Sequence, residues 1–99
     1  MNTLLRSDVF DTWLSKLRDP KAKARILVRI RSAELGNFGD WKSVGEGVFE
    51  MRIDVGRGYR VYFTRRGNTT YLLLWAGDKK HQQRDIKCAV KMAADLARE

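Results

Sequence analysis

The feature that most constrains this chain is Val48–His81, VFEMRIDVGRGYRVYFTRRGNTTYLLLWAGDKKH. Apolar and polar residues alternate through its first two segments, the period of a strand with one buried and one wet face. Phe49, Met51, Ile53 and Val55 share one side, and Glu50, Arg52 and Asp54 the other. Gly56-Arg57-Gly58 suits a three-residue hairpin and Gly67-Asn68 a two-residue one, which predicts a three-stranded antiparallel meander. Folding about Arg57 sets Ile53 against Val61, Asp54 against Arg60 and Arg52 against Tyr62. The second turn sets Val61 against Leu74, Phe63 against Leu72 and Arg60 against Trp75. TYLLLWA is apolar on both sides, as an interior strand would be. On this reading Arg52, Arg60 and Tyr62 face solvent.

The segments before and after supply helices. Met1 to Arg6 suits an edge strand or an ordered arm. Ser7 or Asp8 can cap a helix whose stripe is Phe10, Trp13, Leu14 and Leu17. Asp19 and Pro20 stop it and start another, with proline at the first helical position, where it loses no hydrogen bond. KAKARILVRIRSAEL places Lys23, Ile26, Leu27, Ile30 and Ala33 along one side and leaves Arg25, Arg29 and Arg31 wet. The two helices are expected to form an antiparallel hairpin lying on the sheet. Gly36 ends the second, and NFGDWKSVGEG reads as a loop anchored by Phe38 and Trp41. A last helix, roughly Gln82 to Ala97, buries Ile86, Ala89, Val90, Ala93 and Leu96. The fold class is α+β in a single domain, residues 1–99: a helical hairpin on a small twisted antiparallel sheet, with a C-terminal helix.

Charge then narrows the function. The formal net charge is +8, and its excess is local. Arg57 to Arg84 holds seven basic residues against Asp78 alone, whereas Met1 to Gly56 holds ten basic and eight acidic. A local cationic excess is what a polyanion-binding surface needs, although a solvated basic face has the same composition. The single cysteine, Cys88, forms no internal disulfide and fits a reducing cytoplasm. No apolar run approaches membrane-spanning length, and MNTLLRSD lacks the apolar centre of a signal peptide. One histidine and one cysteine give no metal ligand set and no triad, and no phosphate loop of the Walker type occurs. No cofactor is called for.

What remains is a basic face with aromatic residues. Arg52 and Arg60 can hold a phosphate through their forked donors. Trp75, with Arg57 and Arg84 near the rim, suits contact with single-stranded RNA. RNA carries its own nucleophile, a 2′-hydroxyl that attacks the adjacent phosphate once a base takes its proton. Lys79 or Lys80 is the candidate base, and Tyr62 or His81 the candidate acid. Each also has an ordinary reading: Arg52 as a charge partner of Glu50 or Asp54, Arg60 of Asp54, Tyr62 and Trp75 as sheet aromatics, and His81 as a surface residue.

FDTWLSKLRD, LGNFGDWKSVGEGVFEMRIDVGRGYRVYFTRRG and LLLWAGDKKHQQRDIKCA together resemble the addiction module killer proteins, HigB-like toxins of the RelE/ParE superfamily. The resemblance covers nearly the whole chain. It implies a RelE-like fold, a cytoplasmic location, and a small cognate antitoxin of the HigA type with a helix-turn-helix. It also implies metal-independent cleavage of mRNA on the ribosome. Arg60 matches the arginine of the GYR motif, Arg52 that of the preceding strand, and Lys79 or Lys80 the basic position after the last strand. Two alternatives share the scaffold: a ParE-like toxin acting on DNA gyrase without nuclease activity, and a basic antitoxin-binding module without catalysis.

Overall fold

The computed structural model describes residues 1–98. Elements follow in the order β1 (Thr3–Arg6), α1 (Asp8–Lys16), α2 (Pro20–Glu34), β2 (Trp41–Gly45), β3 (Val48–Ile53), β4 (Tyr59–Arg65), β5 (Thr70–Asp78), a 3-10 turn (Lys79–His81) and α3 (Gln82–Ala97). The five strands form one sheet in the order β1-β5-β4-β3-β2. Among the described residues, no helix is long and apolar enough to cross a membrane.

The helix boundaries are where local chemistry sets them. The Ser7 side chain accepts from the Phe10 amide, and Asp19 accepts from the Ala22 amide with Pro20 in the first turn. Gly36 follows α2 at φ 102°. α3 spans the residues its stripe predicts, with Ala89 buried and Ile86, Val90, Ala93 and Leu96 packed beside it.

The sheet departs from the expected meander in four ways. Strand β1 is the edge strand expected of the first six residues, but it runs parallel to β5, so the sheet is mixed rather than antiparallel. The segment from Trp41 read as a loop is a fifth strand, paired antiparallel to β3. Between β3 and β4 the turn is longer than three residues: Val55 leaves the strand, and Gly56 and Gly58 take φ of 57° and 73°. Gly56 also packs against the Asp19 carboxylate, leaving no room for a Cβ. The longer turn moves every pair by two residues and so keeps the faces, and Ile53 meets Tyr59, Arg52 meets Arg60 and Glu50 meets Tyr62.

The fourth departure is the phase of β5. Phe63 pairs with Leu73 rather than Leu72, and an irregularity follows, after which Tyr62 pairs with Trp75 and Val61 with Ala76. Leu73 and Ala76 therefore join the core beneath α1 and α2, while Leu72 and Leu74 turn to the other face. A strand apolar on both sides gives no sequence signal for its own phase.

Two layers of helix cover the sheet. α1 lies on β5, and α2 reaches β1 and β3, so both helices find their main contacts on the sheet rather than on each other. Phe10, Leu14, Ala22, Ile26, Ile30 and Ala33 meet Met51, Ile53, Val61 and Phe63 there. Ala22 is buried along with Ile26, Ile30 and Ala33, whereas Leu27, expected on the same stripe, is exposed. α3 packs on the opposite face over β5, β4 and β3. That is the face the alternation alone assigned to solvent.

Candidate functional site

Arg52 and Arg60 are cross-strand partners at the end of β3 and β4, so their side chains leave the same face of the sheet. Arg52 is open to solvent and holds Asp40, with Nη2 3.0 Å from Oδ1. Arg60 is a tenth exposed, and its Nε lies 3.6 Å from Oε2 of the fully buried Glu50. Gln82 at the start of α3 donates to the same Glu50 oxygen at 2.9 Å. Lys79 enters from the end of β5, where its amide donates to the Gly58 carbonyl at 2.7 Å. Asp40, Arg52, Asp54, Gly58, Arg60 and Lys79 thus line one cleft of about 260 Å³. It holds three cations and two carboxylates.

Behind that cleft, α3 closes over a polar group. Tyr62 is fully buried, with its hydroxyl unpartnered near the carboxylates of Glu50 and Asp85. Burial, then those two negative charges, pushes its ionisation far up, so Tyr62 is no surface acid. Trp75 is half-buried beside α3 and donates to Oδ1 of the buried Asp85 at 3.1 Å. The other Asp85 oxygen has no partner and packs against Gly77. The expectation that Arg60, Tyr62 and Trp75 stand on an open face is therefore corrected, because an apolar α3 stripe must be buried and this face receives it.

The remaining candidates separate. His81 places Nδ1 2.9 Å from Asp78 Oδ1, and its backbone amide donates to the same carboxylate. Burial works against the Asp78 charge, but the hydrogen bonds from His81 and the nearby Arg57 outweigh it and hold the carboxyl below its ordinary value. Arg57 sits 3.9 Å from Asp78 and is largely exposed. Arg84 reaches Asp85 at 3.5 Å. Trp75, His81 and Arg84 line a second cleft, of about 220 Å³, with Val9, Trp13, Asp78 and Asp85. Lys80 is exposed and lines neither cleft. Asp78 and Lys79, adjacent in the chain, therefore border one cleft each.

A family model described as phage-derived protein Gp49-like (DUF891) matches residues 12–96. The chain belongs to that family. Gp49-like proteins are associated with toxin–antitoxin systems. A relative of uncharacterised function from Haemophilus influenzae is 52% identical over 87 residues, which cover 88% of each chain.

In this Gp49-like chain the sequence reading missed Asp40, Asp54, Trp13 and Asp85 as site residues. The expected register makes Asp54 a partner of Arg60, but the observed one leaves it in the cleft without an ion pair among the described residues. Asp40 directly precedes β2 in this Gp49-like chain, and Arg29 pins the approach to that strand. Its guanidinium donates to the carbonyls of Arg52 at 2.6 Å, Phe38 at 3.0 Å and Asp40 at 3.3 Å. The position of Asp85, in the first turn of α3 next to a charged Arg84, gave no sign of burial.

Proposed function

We propose that this chain is the toxin of a type II toxin–antitoxin system and acts as a metal-independent endoribonuclease on ribosome-bound mRNA in the cytoplasm. The observation that carries the reading is the convergence of Arg52, Arg60 and Lys79 on one cleft. Two guanidinium groups on adjacent strands fit the oxygens of a single phosphodiester and the charge that builds on its phosphorane. Asp54 is the carboxylate suited to take the 2′-hydroxyl proton. Lys79, as an ammonium, is suited to return a proton to the departing 5′-oxygen. The products are a 2′,3′-cyclic phosphate and a 5′-hydroxyl, and no metal or external nucleophile is required. Primer extension on ribosome-bound mRNA, with the parent protein and Arg52→Ala, tests this directly.

A second reading, a non-catalytic toxin acting on DNA gyrase, is favoured by one observation: Asp40 and Glu50 already partner the two arginines. Inhibition of gyrase supercoiling without new mRNA ends would select it.

The antitoxin is the partner this reading requires. The outer face of α2 carries exposed Leu27, Val28 and Leu35, with Lys21, Arg25 and Arg31 around them. An apolar stripe bordered by cations fits an acidic amphipathic segment of that antitoxin, a HigA-like helix-turn-helix protein.

A further inference from the structure

The second cleft is unused by the chemistry above, and its walls differ in kind from those of the first. Trp13 and Trp75 contribute indole surface, and Arg84 and His81 contribute polar atoms at the rim. Asp78 and Asp85 contribute carboxylates, which disfavour a phosphate there and admit groups that carry N–H. At about 220 Å³ it is smaller than the roughly 300–1,000 Å³ of sites for drug-sized ligands. A single flat ring system suits it better.

We infer that this cleft receives a purine base, guanine in preference, from the strand whose phosphate lies in the first cleft. The inference rests on the RNA reading and names the nucleotide beside the scissile bond. Three observations carry it. Asp78 lines this cleft and Lys79, the next residue, lines the first, so the chain passes directly from one wall to the other. Arg84 has a guanidinium two-thirds exposed, whose fork matches the adjacent O6 and N7 acceptors of guanine. His81 is held through Nδ1 by Asp78, which leaves Nε2 free to meet the polar edge of a base. Bases splayed from a single strand stack on aromatic surface of the kind Trp13 and Trp75 supply.

The chain has three tryptophans, and Trp41, half exposed, lies outside this cleft. A W41F protein therefore reports on Trp13 and Trp75 by fluorescence. Titration with the trinucleotides UpGpU and UpUpU should quench that signal at least tenfold more readily with UpGpU. Arg84→Gln should abolish the difference, and Arg52→Ala should weaken both titrations while preserving it. Equal quenching by the two trimers overturns the subsite, as does no quenching by a protein that still cuts ribosome-bound mRNA. Guanine-selective quenching in a protein that cuts nothing would retain the subsite and remove the nuclease reading.

Discussion

Arg52 and Arg60 face each other across β3 and β4, yet each is balanced differently: Arg52 holds the exposed Asp40, and Arg60 leans on the buried Glu50. The two arginines should therefore answer differently to the same substitution. Arg52→Ala should leave the unfolding midpoint almost unchanged, because exposed ion pairs add little to stability. It should slow mRNA cleavage about 10²-fold, the usual loss when one donor to a developing negative charge is removed.

Arg60→Ala is expected to unfold the protein more readily. It strands Glu50 without its cation under α3, and breaking a buried pair costs about 3–5 kcal/mol. Urea denaturation of Arg60→Ala and of the Glu50→Gln, Arg60→Ala double variant checks this, since the neutral amide should recover part of the loss. Equal losses in both would show that Glu50 does not feel Arg60.

Much of this fold was legible because its signals are local. Ser7 and Asp19 mark helix starts through hydrogen bonds reaching three residues, Pro20 marks one through its fixed φ, and the α3 stripe repeats over about three turns. The phase of β5 was not legible, since Leu72, Leu73 and Leu74 suit either face and a bulge decides among them. The site was half legible for the same reason. Arg52, Arg60 and Lys79 do share a cleft, but alternation could not show that α3 covers Tyr62.

Tyr62→Phe tests that correction. A buried hydroxyl without a partner contributes little, and its removal should leave stability the same or slightly higher. Cleavage and growth arrest should be unchanged in Tyr62→Phe; a loss of cutting at full stability would restore a catalytic role for the phenol.

Gly77→Ala should destabilise the protein by about 1–3 kcal/mol, because the added methyl would collide with the buried Asp85 carboxylate. Thermal unfolding measures it. Combining Gly77→Ala with Asp85→Ala should recover stability relative to Gly77→Ala alone, since the obstructing group is gone.

Acid should loosen the turn that carries Lys79. The Asp78 carboxyl is held below its ordinary value of 3.8 in the folded chain. A depressed carboxylate stabilises the fold above its unfolded value, and that stability is lost as pH falls through the folded one. Denaturation midpoints between pH 6 and pH 3 should therefore fall less steeply at the acid end for Asp78→Asn than for the parent. Parallel curves would remove Asp78 as the source.

The most direct measurement is primer extension on an mRNA carried by ribosomes, with the parent protein and with folded Arg52→Ala. Discrete new ends with the parent and almost none with Arg52→Ala are the predicted result. Growth arrest with intact mRNA, or the same cuts at the same rate from Arg52→Ala, would contradict it.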